Sequence, residues 1–359
     1  MRFNIDPDIR KAATMPSRFY TDADLYSESI EKVFAKSWQF IGDSDLVKVP
    51  GQTHPLVLLD GCLNEPIVFT RDVDDRIHCL SNVCTHRGNL VCESGGNERY
   101  LRCRYHGRRF GLDGKFQFMP EFEDVQGFPS DSDHLPTIPF GHWERFLFAA
   151  VTPKMSLEDY LKPMVERIGW MPISNFWHDP SRAREYLINA NWALYIDNYL
   201  EGFHIPFIHA ALNATLDYGN YRSELFDSGN VQIGIAGDGE FAFDLPENSP
   251  DFGQSIAAYY FWLYPNTMFN FYPWGLSINV VGPVSHDRTK VSFIPYVWDE
   301  SKIGIGAGAA LDRVEREDEV VVELVQRGLR SRLYDRGRYS PKRENGVHQF
   351  HRMLASDLG

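Results

Sequence analysis

Two short motifs in this chain combine residue types that bind metal. Cys84-Thr85-His86 is followed, after sixteen residues, by Cys103-Arg104-Tyr105-His106. Each supplies one thiol and one imidazole. Such a set can hold a [2Fe–2S] cluster, with the two Cys on one iron and the two His on the other. Replacing two anionic thiolates by neutral imidazoles lowers the negative charge on the cluster and raises its reduction potential, so that it takes up electrons readily. A structural zinc ion also accepts two Cys and two His, but its motifs usually pair Cys with Cys and His with His. Here each motif has one of each, so Cys84, His86, Cys103 and His106 are read as cluster ligands.

About a hundred residues later comes Glu201-x2-His204-x4-His209. Non-haem Fe(II) sites that handle O₂ use two His and one carboxylate on one face of the metal and keep the other face open. Five residues of regular helix turn through about 500°, which would point His204 and His209 apart. Pro206, lying between them, is expected to distort the helix and re-aim one ring. Alone, this spacing reads as readily as two satisfied core histidines; the cluster motif upstream is what favours iron. The third ligand must come from elsewhere. Residues 309–336 read as one long helix, on which Val314, Asp318, Val321, Val325 and Leu329 form one stripe. Asp318 is the acid on that stripe, and an acid on a buried face must be paired or bound to metal. Glu315 and Glu319 are the fallbacks, with solvation the default for acids on the flanking faces.

The elements that must position these residues follow from pattern. Residues 18–37 read as helix. From Trp38 to about Val151, short apolar runs alternate with Gly, Asp-Gly and Pro turns, the pattern of an all-β sandwich with the metal motifs on two hairpin tips. Gly107, directly after His106, is read as allowing close backbone approach to sulfur. Residues 152–180 suggest a short helix and a connector, and residues 183–213 a strand that becomes helical. Within 220–299, runs such as AAYYFWLYP, TMFNFYPW and LSINVVGP fit a broad antiparallel sheet. The 359 residues allow two cores, and a net charge of −13 argues against a nucleic-acid partner. Of five cysteines two belong to the cluster motifs and Cys62, Cys79 and Cys92 show no paired spacing, an odd count that suits a reducing cytoplasm rather than a disulfide scaffold. No signal peptide and no membrane span are expected: residues 1–30 are acidic, and no apolar run reaches 18 residues.

The segments CTHRGNL, LRCRYHGRRFGLDG and NWALYIDNYLEGFHIPFIH together resemble the catalytic α-subunit of the Rieske ring-hydroxylating oxygenases. The resemblance implies an α+β fold class: a Rieske all-β sandwich plus an α+β catalytic domain of helix-grip type with a large antiparallel sheet. The implied division is an N-terminal helical segment, 1–37, packing on the catalytic domain, then a Rieske domain, 38–152, and a mononuclear iron domain, 153–359. It implies His204, His209 and Asp318 as iron ligands, since the family's Asp lies five residues before the Glu of a VELVQ-like segment. Asn198 resembles an Asn near the iron that is not a tight ligand. Residues 197, 201 and 204 would share a helix face, and Glu201 would bridge a cluster His of one subunit and an iron His of the next. Many relatives carry Asp there. Also implied are a homotrimer, O₂, a small-molecule substrate, and electrons from NAD(P)H through a separate flavin or ferredoxin reductase. The tail SRLYDRGRYSPKRENGVHQFHRML and the segment WLYPNTMFNFYPWG resemble the branch acting on quaternary ammonium compounds such as choline, glycine betaine or carnitine. Tyr260, Trp262, Phe269, Phe271, Tyr272 and Trp274 are the candidate rings for a cation. Asn279, Asn213 and His351 have no assigned place. An arene cis-dihydroxylating α-subunit is the alternative, and a Rieske electron carrier without a second iron is a third reading.

Overall fold

The computed structural model describes residues 3–309 and 311–359. By its internal contacts the chain divides into two compact units, Ala35–Leu157 and a second made of the N-terminal residues through Phe34 with Glu158–Gly359.

The first unit is built from three small antiparallel sheets. Its strands are β1 (Gln39–Asp43), β2 (Gln52–Leu58), β3 (Glu65–Arg71), β4 (Ile77–Ser81), β5 (Gly96–Asn97), β6 (Leu101–Arg102), β7 (Arg109–Phe110), β8 (Phe116–Phe118), β9 (Phe140–Trp143) and β10 (Phe146–Ala149). They pair in the orders β1-β10-β9, β4-β3-β2-β5 and β6-β7-β8. Val68, Leu80, Leu101, Phe110 and Leu112 pack into one buried cluster that includes Cys84 and Cys103, so the thiols sit at the edge of an apolar core.

In the second unit, the helix read over 18–37 is two short helices, α1 (Ser17–Thr21) and α2 (Ala23–Lys32). Asp22 breaks it: its backbone is extended and its carboxylate caps α2 through the amides of Asp24 and Leu25. Then follow α3 (Leu157–Ile168), β11 (Trp177–His178), β12 (Arg184–Ile188), α4 (Trp192–Tyr199), α5 (Ile205–Ile208), α6 (Ala210–Thr215), β13 (Arg222–Phe226), β14 (Gly229–Ile235), β15 (Ile256–Leu263), β16 (Thr267–Tyr272), β17 (Gly275–Ser285), β18 (Arg288–Val297), α7 (Leu311–Gly328) and α8 (Asn345–Leu358). The strands form one antiparallel sheet in the order β11-β18-β17-β16-β15-β14-β13, with β12 also on β18.

On β15 and β16 residues of both parities are buried, so both sheet faces are covered. Phe261, Phe269 and Phe271 interlock on one face. On the other, Trp262 packs on Phe350 of α8, and the Tyr199 hydroxyl of α4 donates to Asn270 Oδ1 at 2.6 Å. The register places Gln232, Tyr260, Asn270 and Ser277 side by side across four strands. Gln232, Tyr260 and Asn270 of this row line the pocket described below.

Helix α4 starts at Asn191, whose side chain accepts from the Ala193 amide. The Asn191 amide in turn donates to Gln326 Oε1 of α7 at 2.7 Å, and Gln326 Nε2 reaches the Tyr20 carbonyl at 3.4 Å. These bonds tie α4 and α7 together. The long helix is shorter than 309–336, ending at Gly328, and its buried face is Asp318, Val322 and Gln326 rather than the Val314–Leu329 stripe. Val325 is largely exposed. The apolar pattern misplaced the face because Gln326 finds partners and is buried despite its polarity.

Candidate active site

The two cluster motifs fold into matching loops. The Cys84 amide donates to the Asn89 carbonyl at 2.8 Å, and the Gly88 amide to the Cys84 carbonyl at 3.0 Å. The second loop repeats this: Cys103 to Arg108 at 2.9 Å, and Gly107 to Cys103 at 3.0 Å. Gly88 and Gly107 occupy the same left-handed backbone region, with φ of 72° and 76°. A Cβ on Gly107 would meet only Pro120, at 3.6 Å, and one on Gly88 nothing within 4 Å. Each glycine thus serves the turn, in a conformation that a side chain would strain. Gly107→Ala and Gly88→Ala are each expected to destabilise by about 1–2 kcal/mol, the cost of a side chain in this conformation, read as a lowered midpoint of thermal unfolding. An unchanged midpoint in both would refute the turn argument. Beneath the loops, Arg108 is buried among Phe110, Phe116 and Phe128 and donates to Asp133 Oδ1 at 2.6 Å, while Thr85 Oγ1 donates to the Asp133 carbonyl at 2.9 Å. Asp133 thus fastens both loops.

At the tips the His86 and His106 rings lie 4.7 Å apart. His106 Nδ1 is buried with no hydrogen-bond partner among the described residues. An orphaned ring nitrogen in such a place marks a missing ligand bond. Burial, with His106 and nearby arginines, holds His86 below its usual range, so its imidazole is neutral and able to ligate. Burial pushes the Cys84 thiol up, and a cationic centre is what would bring it to the thiolate that ligation requires. The four donors fit a Cys₂His₂ [2Fe–2S] cluster. The other cysteines, Cys62, Cys79 and Cys92, are buried and form no disulfide among the described residues.

The second set lies where α4 ends. His204 and His209 flank the single turn α5 as its caps, and Pro206 opens that turn. They are not in the interior of a distorted helix: α4 stops at Leu200, and the chain restarts twice. The rings are 5.0 Å apart at 80°. Asp318 Oδ1 lies 3.0 Å from His209 Nε2 and 3.5 Å from His204 Nε2. One ligand atom from each of the three residues falls within 4.8 Å of the others. The remaining ring nitrogens are occupied. His204 Nδ1 meets Glu201 Oε1 at 2.7 Å, and His209 Nδ1 meets Glu317 Oε2 at 2.9 Å. A carboxylate on Nδ1 fixes the tautomer that presents Nε2 to a metal. His209 is held above its usual range, because its bonds to Asp318 and Glu317 outweigh an opposing desolvation by burial. The donors suit a two-His, one-carboxylate Fe(II) centre.

Glu201 lies beyond α4, so it does not share a helix face with Asp197 and His204. Its Oε2 instead accepts from the Phe203 and His204 amides, making it the anchor of the His204 turn. Asp197 belongs to a different network: it accepts from Tyr20 at 2.7 Å and meets His351 Nε2 at 2.9 Å, with Tyr339 on His351 Nδ1 at 2.6 Å. Asn198 lines the cavity beside His204. Glu317, expected to be solvated, orients His209, and its carboxyl is held below the usual range by that bond and by Arg313.

Beside the His–His–Asp set is a cavity of about 80 Å³, room for several waters or a small head group. Of the candidate rings, Tyr260 and Tyr272 line it; Trp262, Phe269 and Phe271 do not, and Trp274 stacks behind Tyr272 at 5.4 Å. Asn279, two residues beyond the row on β17, also lines it. Tyr195, Tyr199 and Tyr221 complete the wall and were not anticipated.

An iron–sulfur-type loop pair and a facial metal triad, on a sandwich and a helix-backed sheet, define a two-centre redox enzyme. The comparisons specify it further. Residues 37–129 match the Rieske [2Fe-2S] domain, and residues 177–359 match the ring hydroxylating alpha subunit (catalytic domain). The chain belongs to the Rieske ring-hydroxylating oxygenase family, as its catalytic α-subunit, and is an oxidoreductase. The family uses a [2Fe–2S] cluster, mononuclear iron and reductase-delivered electrons. The chain is 31% identical to choline monooxygenase, chloroplastic, of Arabidopsis thaliana over 98% of its length and 85% of that protein. It is 30% identical to the carnitine monooxygenase oxygenase subunit of Escherichia coli (strain K12), over 96% and 94%. A solved structure of the quaternary ammonium Rieske monooxygenase CntA shares the fold, with a TM-score of 0.80 over 99% of both chains at 23% identity. Among the described residues no helix is long and apolar enough to cross a membrane.

Proposed function

We propose that this oxygenase hydroxylates a C–H bond of a small quaternary ammonium compound, by chain hydroxylation or oxidative N-demethylation. One observation carries the reading: the cavity beside His204, His209 and Asp318 is walled by five tyrosines and has no Lys or Arg among its described lining residues. Ring faces attract a quaternary ammonium, which has no N–H to donate. The named activities of the choline and carnitine relatives support the same substrate class. The arene alternative fits less well, because Gln232, Asn270 and Asn279 make the floor polar.

Cys84, His86, Cys103 and His106 would hold the cluster, and His204, His209 and Asp318 the iron; the cluster supplies electrons one at a time, and the iron supplies O₂ chemistry. The protein's part is positioning. Glu201 and Glu317 fix both imidazoles in one tautomer, and the tyrosine wall holds the substrate against the open side. One oxygen atom enters the C–H bond and the other leaves as water, with electrons from NAD(P)H through a separate reductase. Hydroxylation of an N-methyl group gives a carbinolamine that releases formaldehyde.

We also propose the homotrimer, with Glu201 accepting from a cluster histidine of the adjacent chain, and a cytoplasmic location that suits five cysteines without a disulfide among the described residues. Phe207, Val320, Leu324 and Leu333 are exposed apolar side chains on the unit that carries the triad, a surface that another chain would cover. The test is a panel of quaternary amines with the purified chain and a generic reductase, scored for hydroxylated product or formaldehyde. Product from at least one such amine, and none from arenes, is expected. Arene diols without amine products would overturn the reading.

A further inference from the structure

One acid facing the cavity is used by nothing described so far. Glu315 stands one helical turn before Asp318 on α7, and its Oε2 accepts from the Tyr195 hydroxyl at 2.6 Å. It was a fallback metal ligand from sequence, but the convergent set is His204, His209 and Asp318 without it.

No Lys or Arg lines this cavity among the described residues, although Arg182 and Arg184 line another cavity that Glu315 also lines, and His209 opposes the accumulation of negative charge. Burial pushes the Glu315 carboxyl up to about 8, the charge of Asp318 adds to this, and the bond from Tyr195 opposes it. Tyr272 and Tyr199 are held well above their usual range, first by burial, with Glu315 among the further causes. A buried carboxylate of this kind is neutralised unless a cation pairs with it.

We propose that Glu315, steadied by Tyr195, is the counter-charge that selects a quaternary ammonium head group in this cavity. The inference rests on the substrate reading above and assigns the residue that enforces it. A quaternary ammonium spreads its charge over methyl groups and cannot form a directed hydrogen bond. It needs a diffuse negative environment, which a carboxylate behind ring faces supplies. The need is sharper here than in an ordinary pocket. A divalent metal held by two neutral imidazoles and Asp318 keeps a net positive charge, which repels a cationic ligand nearby. Glu315 offsets that repulsion. Tyr195 and Glu315 come from different helices, α4 and α7, so the pair forms once those helices are packed.

The test is a calorimetric titration of the metal-loaded protein. The probes are choline, carnitine and glycine betaine, each set against the analogue with carbon in place of the quaternary nitrogen, which lacks only the positive charge. Wild type is expected to bind at least one cation more tightly than its isostere. Glu315→Gln is expected to weaken that cation by about 30-fold or more, the scale of a lost buried charge partner, while leaving the isostere, the iron content and the unfolding midpoint unchanged. Tyr195→Phe, which frees the carboxylate without removing it, is expected to weaken the cation by about tenfold. It carries the test should Glu315→Gln fail to fold. A cation preference kept in both variants, an equal loss for cation and isostere, or lost iron would overturn the assignment and leave the substrate reading standing. Wild type that binds no cation better than its isostere would remove both.

Discussion

Asp318→Ala is expected to lower iron from about three atoms per chain to about two, abolish product formation, and leave the optical and paramagnetic signature of a His-ligated [2Fe–2S] cluster intact. The expectation follows from where Asp318 Oδ1 sits. Both Nε2 atoms converge on it, at 3.0 and 3.5 Å, and it is the anionic member of the set. Its removal leaves two neutral imidazoles, still oriented by Glu201 and Glu317, which a ferrous ion binds too weakly to survive purification. The fold should persist, because Val322 and Gln326 continue to seat α7. The cluster ligands lie far away in sequence and belong to the other compact unit. Iron analysis and the cluster spectrum on one sample decide the matter. Iron that stays near three would move the ligand to Glu315 or Glu319, and with it the proposal for Glu315 would fall.

The readability of these sites from sequence had physical limits. The cluster loops were legible because ligand type and spacing lie within each loop, although the helper residues Asp133 and Gly88 were not singled out. Asp318 was reached by helical phase and by resemblance, and it does lie buried on α7. Yet the phase argument put Val325 on the packed face, where it is exposed, left Glu317 to solvent and made Glu315 only a fallback ligand. Polarity alone cannot show that Glu317 has His209 to bind, because the two are 108 residues apart. The turn at 204–209 was misread for a related reason. Pro206 signalled a break, but not that α4 had already ended at Leu200, with Glu201 tying the following amides. The sheet was visible as runs of aromatic and β-branched residues. Its polar row was not singled out, although Gln232 and Asn270 sit within runs that are mostly apolar. Polar residues within buried runs are the signal that would have located the cavity floor. The closing helix α8 was not anticipated: its apolar face carries His348 and His351, buried polar residues that mask the period.

Glu201→Ala is expected to lower coupled turnover by roughly 100-fold, the upper end of what loss of a carboxylate partner on a metal-bound histidine produces. It should do so with the cluster intact and most of the mononuclear iron retained. Glu201 has two separable duties. Its Oε2 accepts from the Phe203 and His204 amides and holds the turn, while its Oε1 accepts from His204 Nδ1 at 2.7 Å. A carboxylate offers acceptors on both oxygens to these three donors. Glu201→Gln has one acceptor oxygen, and its amide would face a donor, so it is expected to resemble Ala more than its shape suggests. Glu201→Asp keeps the charge but is one methylene shorter; it should retain substantial activity if charge and acceptance matter more than reach. The bridge role and a local structural role separate in a single-turnover experiment. With the cluster chemically reduced beforehand and substrate bound, a structural defect alone leaves electron arrival at the iron at its normal rate and lowers iron occupancy. A lost bridge leaves occupancy unchanged and slows re-oxidation of the cluster. Slow re-oxidation at full occupancy is the expected result, and normal re-oxidation in Glu201→Ala would refute the bridge and confine Glu201 to anchoring the His204 turn.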